Sequence, residues 1–381
     1  MVRSLQNSVA GAKVATVHGD RIARSAYSLV LLLALLWATV FLQAQSQEMW
    51  DSCESDDARR SITACSLLIE SGTAKDGELE AAYIRRGLSH ANQHEYDEAI
   101  LDFDEALKLN PADVLTLCHR GLAYCGKGNV DRAIGDYDRA LQVKPDYAYA
   151  FLLRGSAYIR KGDYKRSISD LNEALRLKPD SADAWYNRAR AFGFAGDRGR
   201  SIQDFNQAIR LSPNDADSFY GRALEYAENA DYDQAIRDYD QALRINPTYV
   251  DALFGRGLAY AHRGDYSEAI QDYNHVLQIN PTYTEAFNSR GVAHAHMGEY
   301  SEAIRDYDQA LTLSPRFTKA LHNRSLAYAH SGAYLSSVRD FGRWIQLRFG
   351  ILGVTIRLLL LAIALAFVFW AKRSPRKCNM V

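Results

Sequence analysis

Arginine and aspartate recur in this chain at a spacing that sets charge against charge. The arginines are Arg86, Arg120, Arg154, Arg188, Arg222, Arg256, Arg290 and Arg324. Sixteen residues after each stands an aspartate: Asp102, Asp136, Asp170, Asp204, Asp238, Asp272, Asp306 and Asp340. A planar guanidinium and a carboxylate form charge-assisted, bidentate hydrogen bonds, and a charge carried into a protein interior needs such a partner. The expectation is a structural ladder of ion pairs, one per repeat or between neighbours. The rival chemistry is an arginine row gripping an anionic polymer, and the matched aspartates, which would neutralise that row, argue against it.

Other reactive side chains offer less. His262, His296 and His330 follow one period, each after an alanine. A whole repeat separates neighbouring imidazoles, too far to share one zinc at about 2 Å per bond. Solvent or a peptide is their expected company. No phosphate-binding glycine loop, His-Glu-x-x-His pair or Cys-x-x-Cys pattern occurs. The chain is therefore expected to be no enzyme and to hold no cofactor or metal. With 45 basic and 46 acidic residues its net charge is -1, and no basic stripe suits nucleic acid.

The elements that must position these residues are read from proline. Pro111, Pro145, Pro179, Pro213, Pro247, Pro281 and Pro315 stand 34 residues apart, and only Pro375 lies outside the series. Units aligned on them start near Glu80, Val114, Ala148, Ala182, Ala216, Val250, Thr284 and Thr318. A period of 34 is that of a helix-turn-helix unit which buries its apolar face only against its neighbours. In the unit Val250 to Pro281, Gly264 is suited to end the first helix in the left-handed conformation. Asp265 and Glu268 form a capping-box pattern for the second, and Pro281 stops that helix. Small residues such as Gly87, Gly121, Gly257 and Gly291 recur where helices must approach, with Phe103, Tyr137, Phe205, Tyr239, Tyr273 and Tyr307 to fill the core.

These features resemble the tetratricopeptide repeat (TPR): large-then-small pairs such as Trp185 and Ala189, an alanine early in the second helix, and the closing proline. The resemblance spans roughly 270 residues, the length of an eight-unit array. It implies an all-α, right-handed superhelical solenoid whose concave groove holds a peptide or a partner protein. The arginine series is a departure, since the family usually has an apolar residue there. A carboxylate clamp of the co-chaperone type is excluded, because Ile84, Leu88, Cys118, Leu122, Tyr220 and Leu224 hold the corresponding places.

The groove lining is expected from the first helices: Tyr149, Leu152, Asp183, Tyr186, Asp217, Tyr220, Asp251, Phe254, His262, Glu285, Asn288 and His296. Acidic and aromatic rows suit an extended peptide or helix with basic and apolar side chains; solvated helix positions are the plainer reading.

Both ends are apolar. Residues 1–25 form a basic N-terminal region, and 26–44 read as a signal peptide or a retained membrane helix. Residues 45–79 form a cap with a degenerate repeat, in which Arg60 to Ser71 resembles a second helix. Such stretches precede the repeats in exported bacterial TPR proteins, and that resemblance implies a Cys53–Cys65 disulfide; two unlinked thiols are the alternative. Cys118 and Cys125, seven apart on one helix, are too far separated to join. After the solenoid at 80–348, residues 349–371 read as a second membrane helix, and the basic tail 372–381 points to the cytoplasm. Together these features predict a membrane-tethered scaffold with exported, periplasmic repeats that gathers proteins or peptides. The second reading is a non-catalytic subunit of an envelope enzyme, polysaccharide-handling or secretion complex.

Overall fold

A computed structural model describes residues 47–349, apart from 73 and 75, together with single positions at 32, 36, 37, 362 and 366. Among the described residues every regular element is a helix. They divide into two compact units, one ending at Gly162 and the other beginning at Asp163.

In the first unit α1 covers residues 47–53 and is followed by α2 (Ala58–Ser71), α3 (Asp76–Asn92), α4 (Tyr96–Leu109), α5 (Val114–Gly126), α6 (Val130–Val143) and α7 (Ala148–Lys161). From α2 onward each helix packs on the next. The second unit repeats the plan with α8 (Tyr164–Leu177), α9 (Ala182–Phe194), α10 (Arg198–Leu211), α11 (Ala216–Glu228), α12 (Tyr232–Ile245), α13 (Val250–Arg263), α14 (Tyr266–Ile279), α15 (Thr284–His296), α16 (Tyr300–Leu313), α17 (Thr318–His330) and α18 (Tyr334–Phe349).

Local chemistry sets the helix ends. Asp113 accepts hydrogen bonds from the Leu115 and Thr116 amides at the start of α5, and Asp215 from the Ser218 amide at α11, satisfying donors that a helix N-terminus leaves open. Gly264 ends α13 at φ 98°, a conformation that costs glycine least. Asp265 makes no side-chain cap to α14. Its carboxylate is instead held by the Arg263 guanidinium, a stronger donor than an amide.

The core is a column of rings within each unit. Phe103 and Tyr137 in the first, and Phe205, Tyr239, Tyr273 and Tyr307 in the second, are buried almost completely. Burying a ring of this size contributes about 2 kcal/mol. Each sits under a residue with little or no side chain: a Cβ on Gly121 would come within 2.4 Å of the Tyr137 ring, and one on Gly257 within 2.7 Å of the Tyr273 ring.

The expected membrane helices require correction. Among the described residues no helix is long and apolar enough to cross a membrane. The segments 26–44 and 349–371 on which that expectation rested lie almost wholly outside the described residues.

Cys53 and Cys65 are disulfide-bonded and fully buried with Ala64 and Leu68 against Met49 and Trp50. The bond ties α1 to α2. Ser61 Oγ donates to the Cys53 carbonyl at 2.7 Å and receives the Ser89 hydroxyl of α3 at 2.8 Å. Cys118 and Cys125 are free and buried.

Candidate functional site

The arginine series is built as a set of struts. In the first unit Arg86 donates Nε to Asp102 Oδ2 at 2.9 Å and Nη2 to Oδ1 at 2.7 Å. Arg120 makes the same fork to Asp136. In the second unit Arg188, Arg222, Arg256, Arg290 and Arg324 do so with Asp204, Asp238, Asp272, Asp306 and Asp340, at 2.6–2.9 Å. Asp170, the first of the second unit's ladder aspartates, is buried like the rest.

Each arginine has a further nitrogen, and it reaches the other way. Nη1 of Arg120, Arg154, Arg256 and Arg324 donates to Asp104, Asp138, Asp240 and Asp308. Nη1 of Arg188, Arg222 and Arg290 donates to Asn172, Asn206 and Asn274. Every one of these acceptors lies on the second helix of the preceding repeat. One guanidinium thus joins two successive second helices through the first helix between them. A sequence signal exists: the acceptor stands two residues after the ladder aspartate, as Asp-x-Asp or Asp-x-Asn, in every unit but the last, where Gly342 follows Asp340. Hydrogen bonding to Asp102 holds the Arg86 guanidinium above its ordinary value against the opposing effect of burial. Half-buried and bonded on both sides, these arginines offer no open row to a polymer.

The histidines are also engaged in packing. His262 stacks on Tyr232 with centroids 5.3 Å apart, His296 on Tyr266 at 4.8 Å, and His330 on Tyr300 at 5.3 Å. Each ring at the end of a first helix thereby covers the ring that opens the previous second helix. Tyr164 and Phe194 make the equivalent stack at 5.5 Å. Burial lowers the basicity of His296 and His330.

The remaining candidate residues divide between the units. Tyr149 is exposed and Leu152 half-buried on α7, with the Tyr149 ring edge-on to Tyr147. In the second unit Tyr186, Tyr220 and Phe254 are half-buried, while Asp183, Asp217, Asp251 and Glu285 are exposed. Each aspartate lies three residues before its aromatic, a spacing that places both on one helix face.

Tyr220 rests on Tyr239 and Tyr249, and Phe254 on Tyr273 and Tyr283. The Tyr249 hydroxyl donates to Asp217 Oδ1 at 2.6 Å. Burial, reinforced by the nearby Asp251 carboxylate, pushes the Tyr220 phenol up to about 12.

Asn288 differs from the open position expected of it. It is buried, and its Oδ1 accepts from Asn323 Nδ2 at 3.1 Å, because an amide oxygen taken out of water needs a donor. Tyr186 and Tyr220 line one cleft of about 450 Å³ between α9 and α11, with Phe205 beneath.

The tetratricopeptide-repeat profiles match residues 118–182, 152–216 and 220–284, and 80–113 and 284–317, together more than half of the chain. No curated protein matches the sequence. Among solved structures, a chain of the APC/C hetero-tetramer Cut9-Hcn1 is 14% identical over 84% of this chain and 67% of its own, with a TM-score of 0.52. A tetratricopeptide repeat protein from Parabacteroides merdae is 19% identical over 66% and 98%, with a TM-score of 0.49. YrrB, described as a TPR protein with an unusual peptide-binding site, is 21% identical over 49% and 97%, with a TM-score of 0.41.

Proposed function

The chain belongs to the tetratricopeptide-repeat family, and from that premise we propose that it is a protein-interaction scaffold whose first helices hold peptide segments of its partners. The supporting observation is the cleft shared by Tyr186 and Tyr220. Half-buried rings flanked by carboxylates supply apolar anchors with orienting charge, the combination that concentrates binding energy in recognition sites. Asp183, Asp251 and Glu285 leave the face acidic, which suits basic and apolar side chains on the ligand. The exported location expected from the ends of the chain belongs to the same proposal, supported by the Cys53–Cys65 bond, since disulfides persist in oxidising compartments.

The test uses the full chain and a labelled synthetic peptide of alternating lysine and leucine, read by fluorescence anisotropy. Tyr220→Ala and Phe254→Ala should each weaken binding by about tenfold or more, with helicity retained in circular dichroism. Equal affinity in both variants overturns the reading.

A further inference from the structure

Eight units built on one pattern make departures from it legible, and several converge on the cleft between α9 and α11. Where Arg190 stands, the other units carry Leu88, Leu122, Ser156, Leu224, Leu258, Val292 and Leu326. Glu225 takes a place that six units fill with alanine, from Ala123 to Ala327, each at most 2% exposed. Gly193 is the only glycine in its register. Arg198 replaces a tyrosine found in six of the eight units. All four line the cleft.

The array folds without these charges elsewhere, so they ask for another reason. Glycine and glutamate form a matched pair: a Cβ on Gly193 would lie 1.9 Å from Glu225 Oε1. The Ser201 hydroxyl beside them is fully buried and lacks a hydrogen bond of good geometry. Burial raises the Glu225 carboxyl above its ordinary value, against the lowering effects of Ser201 and Arg198.

Arg198 itself is paired with Glu228 at 3.2 Å. That ion pair stands where the next three units have a tyrosine stacked on histidine. Arg190 lies over the rings of Tyr186 and Phe194 at 5.6 and 5.9 Å, and makes no ion pair among the described residues. The cleft thus presents a carboxylate and a guanidinium of opposite sign, neither in an ion pair among the described residues, beside aromatic walls.

Resting on the peptide-binding reading above, we propose that this cleft is the register-setting anchor for a dipolar peptide segment. A lysine or arginine of the ligand enters to meet Glu225, and an acidic neighbour meets Arg190. The aliphatic stems lie on Tyr220 and Phe194. The acidic-aromatic pairs Asp183–Tyr186, Asp217–Tyr220 and Asp251–Phe254 recur every 34 residues and tolerate a slide by one unit, whereas Arg190, Gly193 and Glu225 depart from the pattern of the other units. A uniformly basic ligand leaves Arg190 facing like charge, and a uniformly acidic one does the same to Glu225, so both are discriminated against.

Three labelled decapeptides of equal length are titrated into the full chain: one with adjacent lysine and glutamate among leucines, one with glutamine for the lysine, and one with glutamine for the glutamate. The lysine-glutamate peptide should bind at least about tenfold more tightly than either control. Arg190→Leu should abolish discrimination against the glutamate-to-glutamine peptide. The double variant Gly193→Ala, Glu225→Ala should abolish it against the lysine-to-glutamine peptide. Both variants restore the pattern of the other units, and their melting temperatures should equal or exceed the parent's.

A lower melting temperature with unchanged discrimination makes the charges structural and overturns the proposal. Equal binding of all three peptides that is still weakened by Phe254→Ala overturns it too, and leaves the broader reading standing. No binding of any peptide by the parent overturns both.

Discussion

Arg256 grips Asp272 with two parallel hydrogen bonds, Nε to Oδ2 at 2.9 Å and Nη2 to Oδ1 at 2.6 Å, while its Nη1 holds Asp240 of the preceding repeat at 2.6 Å. The two carboxylates are not equivalent. The Asp272 side chain is 4% exposed and that of Asp240 35%. Removing Asp272 leaves a desolvated guanidinium short of a partner, which costs about 3–5 kcal/mol. Asp240→Ala should cost about 1 kcal/mol or less, because water replaces the lost carboxylate. Urea unfolding of both variants checks this; equal midpoints would remove the strut as a source of stability.

The turn between α11 and α12 holds Ala230 at φ 58°, where six other repeats have glycine at positive φ. A side chain in that region is strained by about 1–2 kcal/mol. Ala230→Gly should therefore raise the thermal midpoint, despite the added freedom it gives the unfolded chain. A lowered midpoint would show that this turn is relaxed.

Gly257 lies over the Tyr273 ring so closely that a Cβ there would come within 2.7 Å of it. Gly257→Ala should destabilise by about 1–3 kcal/mol through overpacking. The double variant Gly257→Ala, Tyr273→Leu should recover part of that loss, and a double-mutant cycle of chemical denaturation reads the coupling.

His296 and His330 favour the neutral form when folded, because burial lowers their basicity. The unfolded chain binds a proton at these sites first, near the ordinary value of about 6.5. Stability is therefore complete above that pH and declines as pH falls through it towards the folded values. Phe194 already performs the stacking role on Tyr164, so His296→Phe with His330→Phe should keep the stack and flatten this dependence. Melting curves at pH 7.5 and 5.5 compare the two proteins; parallel declines would exclude these histidines.

Reducing the Cys53–Cys65 bond, which closes a loop across 12 positions, should loosen α1 and α2 by about 3 kcal/mol. Hydrogen exchange with and without reductant should show the loss of protection confined to residues 47–72. Unchanged protection there would mean that packing of Trp50 and Leu68 suffices.

The period, the helix pairs and the partnership of each arginine with an aspartate sixteen residues on were all open to reading, because they depend on helical geometry within one unit. The second acceptor was not. Asp104 and Asp240 are two residues from a ladder aspartate, a regular pattern, yet nothing local says that the arginine of the following repeat reaches them. The stacking of the histidines was hidden for the same reason: His262 and His296 are exposed, as expected, yet His262 meets Tyr232 only because successive repeats bring positions thirty apart into register. Asn288 shares its place with Tyr220 and Phe254, and Asn323 is what draws it inward.

The sequence by itself determined an all-helical array of tetratricopeptide units and the small-to-large complementarity of its core, since a fixed 34-residue period leaves each apolar face only its neighbours to bury against. The tertiary structure decided how the charges are shared between repeats, which rings are consumed by stacking, and where Arg190, Gly193 and Glu225 meet. Those relations depend on the step from one repeat to the next, and that step is set by packing between helices rather than by the propensities of any one of them.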